Sequence, residues 1–535
     1  MTDRRSPLFW LVLIFCVGLT AWWALNVPYQ PERLLSAIPA DAAFVTEHRH
    51  LAARWDFFSK NPFARSLFAS LGVKPADLDQ LAENPESRQW FNRLAAEHVV
   101  LAFVPSLGEY REPGWVFASW LGGGSQRMRW SLGLHLIPGF KEGRTYRGRP
   151  YWVVATPFLD PDQKLVVSFV EGMLVGCLAK HESAIAEVLD AYDGLAPSVA
   201  RGRGFPSSGP WCRDPVAPDR GWVNASELWG RATLKPLVLA YEFSKLMEKS
   251  LEGQVCGASP LPLVQSVAPK LKYGELDRIL GDLPLGVCIA ESSMVLPALD
   301  AHTSPAWARL FGELIREQKP ASIMFSLFGD DYSGRFKGLR VPTVIAGMPV
   351  KDADAATAWM KEALDRLNAH YQWGVIPREV PVGASRVFVV DGTAGNSYSM
   401  SLSLDEKPAY AVCGGWLLLA SNLQSLQKLV GRYDDAKKSG AEVPRPGWQE
   451  GMEEEKAPCY CWVDLERGAK TLRMAVATYS LKLLIEDPQK TLHTRQELNE
   501  AKAWIDSLAP LDQCRIWLLS DGVTMEAKFK MGHGG

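Results

Sequence analysis

Two stretches of this chain repeat each other 241 residues apart, and that repetition constrains the fold more than any single motif. VVSFVEGMLVGCLAKHESAIAEVLDAYDG occupies 166–194, and YAVCGGWLLLASNLQSLQKLVGRYDDA occupies 410–436. Each reads as a strand, a turn at Glu171-Gly172 or Gly414-Gly415, a second apolar strand and an amphipathic helix. Ile185, Val188 and Leu189 correspond to Leu426, Leu429 and Val430, an i, i+3, i+4 spacing that makes one buried stripe. Both helices end on Tyr-Asp, at Tyr192-Asp193 and Tyr433-Asp434. Trp222-Val223-Asn224 parallels Trp462-Val463-Asp464, and each is followed by a helix-compatible run, at 233–252 and 470–486. Pro284–Cys288 is matched to Pro510–Cys514, and Asp521-Gly522 signals a closing hairpin. A tandem duplication accounts for the shared order, because self-similarity at long period marks a repeated structural unit.

The expected class is α+β. Strand-like runs come in adjacent pairs, at 98–104, 115–121, 130–137, 150–156, 165–170 and 173–179, without strict βαβ alternation. That predicts antiparallel sheets with helices packed on one face. The two repeats are expected at 98–300 and 320–531. Before them, 28–97 reads as a helical lead-in, with the strand Ala42–Thr46 and helices over Leu51–Ser59, Asn61–Leu71 and Pro75–Ala96. Gly194–Gly221 and Pro444–Pro458 read as long exposed loops in corresponding places.

Residues 8–27, LFWLVLIFCVGLTAWWALNV, carry no charge. As a helix they would span about 30 Å, the thickness of a bilayer core. Arg4 and Arg5 precede the run, and Trp22 and Trp23 fall where an interfacial aromatic belt forms. The expectation is an uncleaved single-pass signal-anchor in the inner membrane, with residues 1–7 a cytoplasmic tail and the bulk of the chain periplasmic. Cleavage after Ala24 would place bulky Trp22 at −3, and a lipoprotein site at Cys16 would follow bulky Phe15.

Pro39–Ala42, the strand–helix pattern at 166–193 and 410–434, and this topology resemble those of bacterial membrane-anchored envelope proteins built from tandem α+β units, a domain-of-unknown-function family. The resemblance implies an envelope protein and supplies no catalytic residues.

Composition narrows the function classes. A net charge of −2 over 535 residues leaves no electrostatic footprint for nucleic acid. Of the 20 tryptophans, three lie in the apolar run. The others fall mainly in strand-like runs, where core filling is expected and a sugar-binding stack is the alternative. In Glu47-His48-Arg49-His50, His48 and His50 share a face if the segment is extended, and two imidazoles so spaced are weak metal candidates for want of further ligands. Cys459-Tyr460-Cys461 is a CxC rather than a CxxC. Cys461 and Cys514 open two strands of one repeat and form the disulfide candidate, against a reading as buried free thiols. Ser425-Leu426-Gln427-Lys428 matches the S-x-x-K of penicillin-recognising enzymes, but SDN and KTG partners are missing, so it reads as the surface of a packing helix. Gly122-Gly123-Gly124-Ser125 and Gly392-Thr393-Ala394-Gly395 lack P-loop or Rossmann spacing and read as hairpin turns.

No catalytic residue is nominated, and no cofactor or metal is expected. The leading expectation is a membrane-anchored extracytoplasmic binding or scaffolding protein with an envelope protein partner. The alternatives are an envelope hydrolase or carbohydrate-active enzyme with a site assembled from distant residues, and a carrier of apolar ligands.

Overall fold

The computed structural model describes residues 13–16, 18, 19, 27–30, 32–70, 79, 83–134, 136, 137, 140, 143–154, 162–201, 217–224, 238–247, 249–258, 274–300, 306–329, 334–336, 339–392, 404–440, 444–455, 457–486, 494, 498, 499, 502–520 and 524–532. Residues 1–7 and most of 8–27 lie outside these. Positions 13–16, 18 and 19 are helical, and Leu13, Ile14, Phe15 and Leu19 are exposed. Among the described residues, no helix is long and apolar enough to cross a membrane.

The chain is an α+β protein that divides into two units. Unit one comprises Met1–Lys60, Gly72–Ser244 and Val255–Ala258; unit two comprises Asn61–Leu71, Lys245–Gln254 and Ser259–Gly535.

Unit one contains β1 (Phe44–Arg49), β2 (His98–Leu107), β3 (Glu112–Trp120), β4 (Arg144–Tyr146), β5 (Arg149–Val154), β6 (Lys164–Val170), β7 (Met173–Ala179), β8 (Asp219–Asn224) and most of β9 (Val238–Met247). They pair antiparallel in the order β9-β8-β1-β2-β3-β7-β6-β5-β4. β10 (Ser250–Ala258) pairs with β9. The helices of unit one include α1 (Glu32–Ser36), α2 (Leu51–Phe58), α4 (Pro85–Leu94), α5 (Gly124–Gly133) and α6 (Ile185–Asp193); α3 (Pro62–Ser70) belongs to unit two.

Unit two holds β11 (Pro284–Glu291), β12 (Ser322–Phe328), the small hairpin β13 (Gly334–Phe336) and β14 (Leu339–Val341), β15 (Thr343–Pro349), β16 (Val375–Val382), β17 (Ser385–Gly392), β18 (Ala409–Cys413), β19 (Trp416–Ala420), β20 (Cys459–Asp464), β21 (Gln513–Ser520) and β22 (Thr524–Met531). Its main order is β21-β20-β11-β12-β15-β19-β18-β17-β16, again antiparallel, with β22 beyond β21. Strand for strand this is the order of unit one. Its helices include α7 (Gly274–Leu280), α8 (Ser292–Asp300), α9 (Ala306–Gln318), α10 (Ala353–Tyr371), α11 (Leu423–Ser439) and α12 (Leu465–Glu486).

This correspondence moves several expected boundaries. Val45 faces Trp222 across β1 and β8, and Val287 faces Trp462 across β11 and β20. β11 therefore answers to β1, and the match of Pro284–Cys288 to Pro510–Cys514 is corrected. β1 lies between β2 and β8, so the first sheet begins inside the expected lead-in of 28–97. Residues 284–300, expected to close the first repeat, instead open the second sheet. Val238–Met247, expected to be helical, is strand, whereas 470–486 is helical. The 130–137 strand is also overturned, because α5 runs through Trp130. Met128 and Leu132 point inward four residues apart, and Trp130 is exposed.

Helices cover both faces of the sheet, not one. In unit two, Ala409, Ala411 and Cys413 pack with Leu426, Leu429 and Val430 of α11. Tyr410 and Val412, on the opposite face of β18, pack with Leu314 of α9 and Leu364 of α10. Unit one does likewise. Val166 and Val170 join Ile185 and Val188 of α6, while Val167 and Phe169 join Leu132 of α5. The expected loop 444–458 is partly core: Trp448 is fully buried, and its indole N–H donates to the Gly281 carbonyl at 2.9 Å.

Candidate functional site

The shared order places one position in common: the ladder between the first strand and the strand that follows the long loop. In unit one, Thr46 faces Gly221 and His48 faces Asp219. In unit two, Cys288 faces Cys461 and Ala290 faces Cys459. The same four ladder positions carry a polar network in one unit and a thiol cluster in the other. A helix follows the first strand closely in both cases, α2 supplying Arg54 and α8 supplying Met294.

In unit one, alternation along β1 sends Thr46 and His48 to one face and Glu47 to the other. His48 Nδ1 lies 2.7 Å from Asp219 Oδ1, and His48 Nε2 lies 3.0 Å from the Thr46 hydroxyl. Arg54 donates to both Asp219 oxygens, at 2.5 and 2.9 Å, and to the Arg49 carbonyl at 2.7 Å. Burial alone would raise the Asp219 pKa, but His48 and Arg54 outweigh it and hold the carboxyl below its usual range. On the other face, Arg220 donates to Glu47 Oε2 at 3.0 and 2.8 Å, with His98 Nε2 at 3.4 Å. Burial is again the largest influence on Glu47, and His98 and Arg220 reverse it to a net lowering.

Hydroxyl, imidazole and carboxylate stand in the order of an acyl-transfer triad. Thr46 is only 5% exposed, however, and neither described cavity includes it. The arrangement clamps β1, β8 and α2 together.

The pairing expected of His48 and His50 is not formed. His50 lies past the end of β1 with φ 51°, which ends the alternation, and its Nδ1 lies 3.1 Å from the Ala96 carbonyl oxygen. Both ring nitrogens of His48 are engaged within unit one.

The cysteines are also arranged differently from expectation. Cys514 faces Val463, whereas Cys461 faces Ile516 on β21 and Cys288 on β11. Cys459 Sγ lies 3.7 Å from Cys288 Sγ and 3.9 Å from Cys461 Sγ, and all three sulfurs fall within 4.8 Å of one another. Cys461 and Cys514 are both free. Thiol hydrogen bonds from Cys459 and Cys461 lower the Cys288 pKa, and Cys288 in turn raises those of its two neighbours. Cys459 packs with Ala290 and Met294, and Cys288, Cys461, Val295 and Leu518 border them. The sequence carried half of this signal in the CxC. Finding Cys288 required knowing that β11 lies beside β20.

Ser425 is buried, not on a helix surface. Its N–H is capped by Asn422 Oδ1 at 2.9 Å, and its hydroxyl lies 2.9 Å from that of Thr343. Gly122-Gly123 form a turn that runs directly into α5, which takes in Gly124 and Ser125, so the hairpin expected here is a helix start; the Ser125 hydroxyl donates to the Gly122 carbonyl at 2.9 Å. Gly392 ends β17, and 393–395 lie outside the described residues.

A cleft of about 530 Å³ opens in unit one between the β2–β3 turn, β4 and α6, lined by Arg111, Tyr146, Glu187 and Asp190 among others. Glu187 accepts the Gly108 N–H at 2.6 Å, and Asp190 accepts the Tyr146 hydroxyl at 2.9 Å. Burial raises the Glu187 pKa.

No family model matches the chain, and no curated protein matches it. Among solved structures, one titled "Structure of crystal form III of TP0453" aligns with 43% of this chain and 82% of that chain, at 11% identity and a TM-score of 0.26. A likeness that slight carries no argument about fold or function.

Proposed function

We propose that this chain is a single-pass, membrane-anchored envelope protein whose two units are tandem copies serving as a binding or scaffolding module for another envelope protein. The carrying observation is the repetition of one nine-strand order among the described residues of the two units. Duplication on an anchor presents two related surfaces at the membrane, and the buried charges of β1 are spent on internal pairs. The apolar run at 8–27 supports an inner-membrane, periplasmic placement. Affinity capture of the tagged full chain from mild-detergent membranes, followed by mass spectrometry, tests the reading. A reproducible stoichiometric envelope partner is expected, and a clean monomer from folded protein would overturn it.

The cleft beside α6 favours one second reading, an envelope hydrolase. Glu187 would act as the acid, its pKa raised by burial, with Asp190 as the second carboxylate. Turnover of an envelope polysaccharide by the full chain, abolished in Glu187→Gln, is the result that reading requires.

A further inference from the structure

The thiol cluster of unit two has the geometry of a ligand set. Metal–thiolate bonds are about 2.3 Å, which places three sulfurs around a trigonal ion about 4.0 Å apart. The two closest separations here are 3.7 and 3.9 Å, against about 2.05 Å for a disulfide. Two of the ligand positions are on β20, two residues apart on one face, and the third is on the adjacent β11. The frame is therefore a continuous ladder rather than a mobile loop. What surrounds the sulfurs selects the ion. Ala290, Met294, Val295 and Leu518 supply an apolar lining, and Met294 adds a thioether to the same buried cluster. Thiolate and thioether donors favour soft ions, Cu(I) foremost, over hard cations that require oxygen.

We propose that Cys288, Cys459 and Cys461 form a binding site for one Cu(I) ion, with Met294 flanking it. Each thiol that ligates releases its proton to solvent, and the metal keeps its oxidation state. The equivalent positions of unit one hold Thr46, Gly221 and Asp219, so the site belongs to one unit only. This inference is independent of the scaffolding reading, because it depends only on the ladder within unit two.

The test is anaerobic titration of the reduced full chain, in detergent, with Cu(I) held by a chromophoric chelator. One ion per chain should transfer, giving a sulfur-to-copper charge-transfer band. Cys288→Ser and Cys459→Ser should each weaken binding by about 100-fold or more, beyond the loss usual for an outer-shell residue. Cys256→Ser, outside the cluster, should leave affinity unchanged. Alkylation mapping of the unmutated chain provides a readout that does not depend on the variants folding. Bound Cu(I) should protect Cys288, Cys459 and Cys461 together. Absence of transfer, affinity unchanged in the variants, tighter binding of Zn(II) than Cu(I), or a disulfide joining two of the three cysteines in the protein as isolated would each overturn the proposal.

Discussion

Asp219 holds two elements to one strand through a single carboxylate. It is 1% exposed, and its oxygens receive His48 from β1 and both terminal nitrogens of Arg54 from α2. Removing one member of such a group leaves the others desolvated without their countercharge, at a cost of about 3 kcal/mol. Asp219→Asn should lower the stability of unit one by that amount in urea unfolding. The pH dependence follows from the sign of the shifts. Asp219 and Glu47 titrate below their ordinary values of 3.8 and 4.5 when folded. Their stabilisation is complete above those values and is lost as pH falls through the lower folded ones. Wild-type unit one should therefore weaken steeply in acid, and Asp219→Asn should flatten that limb by removing one of these two depressed carboxylates. A variant within about 0.5 kcal/mol of wild type would show the network to be ornamental. None of this was legible in Glu47-His48-Arg49-His50 alone. Reading the two imidazoles as a pair assumed that the strand continued through His50, and the partner of His48 comes from 171 residues away.

Elements differ in how firmly their own sequence specifies them. The 17-residue α11 begins at Asn422, which is 3% exposed, caps Ser425 N–H and donates to the Thr343 hydroxyl at 2.6 Å. The 19-residue α10 begins at exposed Asp352, which caps Asp354 and Ala355 and, among the described residues, has no such link to a strand. Losing an exposed cap costs about 1 kcal/mol, and losing a buried cap also removes a desolvated hydrogen bond. Asn422→Ala should therefore destabilise unit two by about 2 kcal/mol and Asp352→Ala by about 1 kcal/mol in matched denaturant titrations. Equal losses would mean that the Thr343 bond contributes nothing. The strand–turn–strand–helix elements at 166–194 and 410–436 were readable because periodicity and turn residues agreed over nearly thirty positions. The two-sided cover departs from the one-faced packing expected of the sequence. Its signal was LVVSFV, interrupted only by Ser168, and MLVGCLA, both uncharged and mostly apolar, the pattern of strands buried on both faces rather than one. Trp130 misled because Trp130, Leu132 and Leu134 alternate like a strand, although Met128 and Leu132 fit a helix equally well. β16 shows a further device. As the edge strand it carries Pro377 and Pro381, two residues of one parity without an N–H, which leaves few donors for another strand to pair with.

At the scale of the whole molecule, the informative residues are those at which the apolar run ends. Val27 packs against Gly172, whose φ of +88° closes the β6–β7 turn. Tyr29 meets Trp120 edge-on at 5.5 Å, and its hydroxyl lies 3.0 Å from His98 Nδ1. The chain is thus fixed to unit one within two residues of leaving 8–27, and an anchor there would hold that unit against the membrane surface without a slack tether. This separates two contributions that a cruder deletion would confuse. A chain beginning at Val27 loses the apolar run but keeps both contacts. It should leave the membrane fraction for the soluble one and melt with unit one as stable as in the full chain. A chain beginning at Glu32 loses Tyr29 as well, and its unit one should melt at a lower temperature, because Trp120 and His98 lose their cover. The full chain should remain with membranes through alkaline carbonate extraction and be digested by protease added to spheroplasts. If the chain beginning at Val27 still sedimented with membranes, 8–27 would not be what holds the protein there, and the exposed aromatics of the folded units would become the place to look.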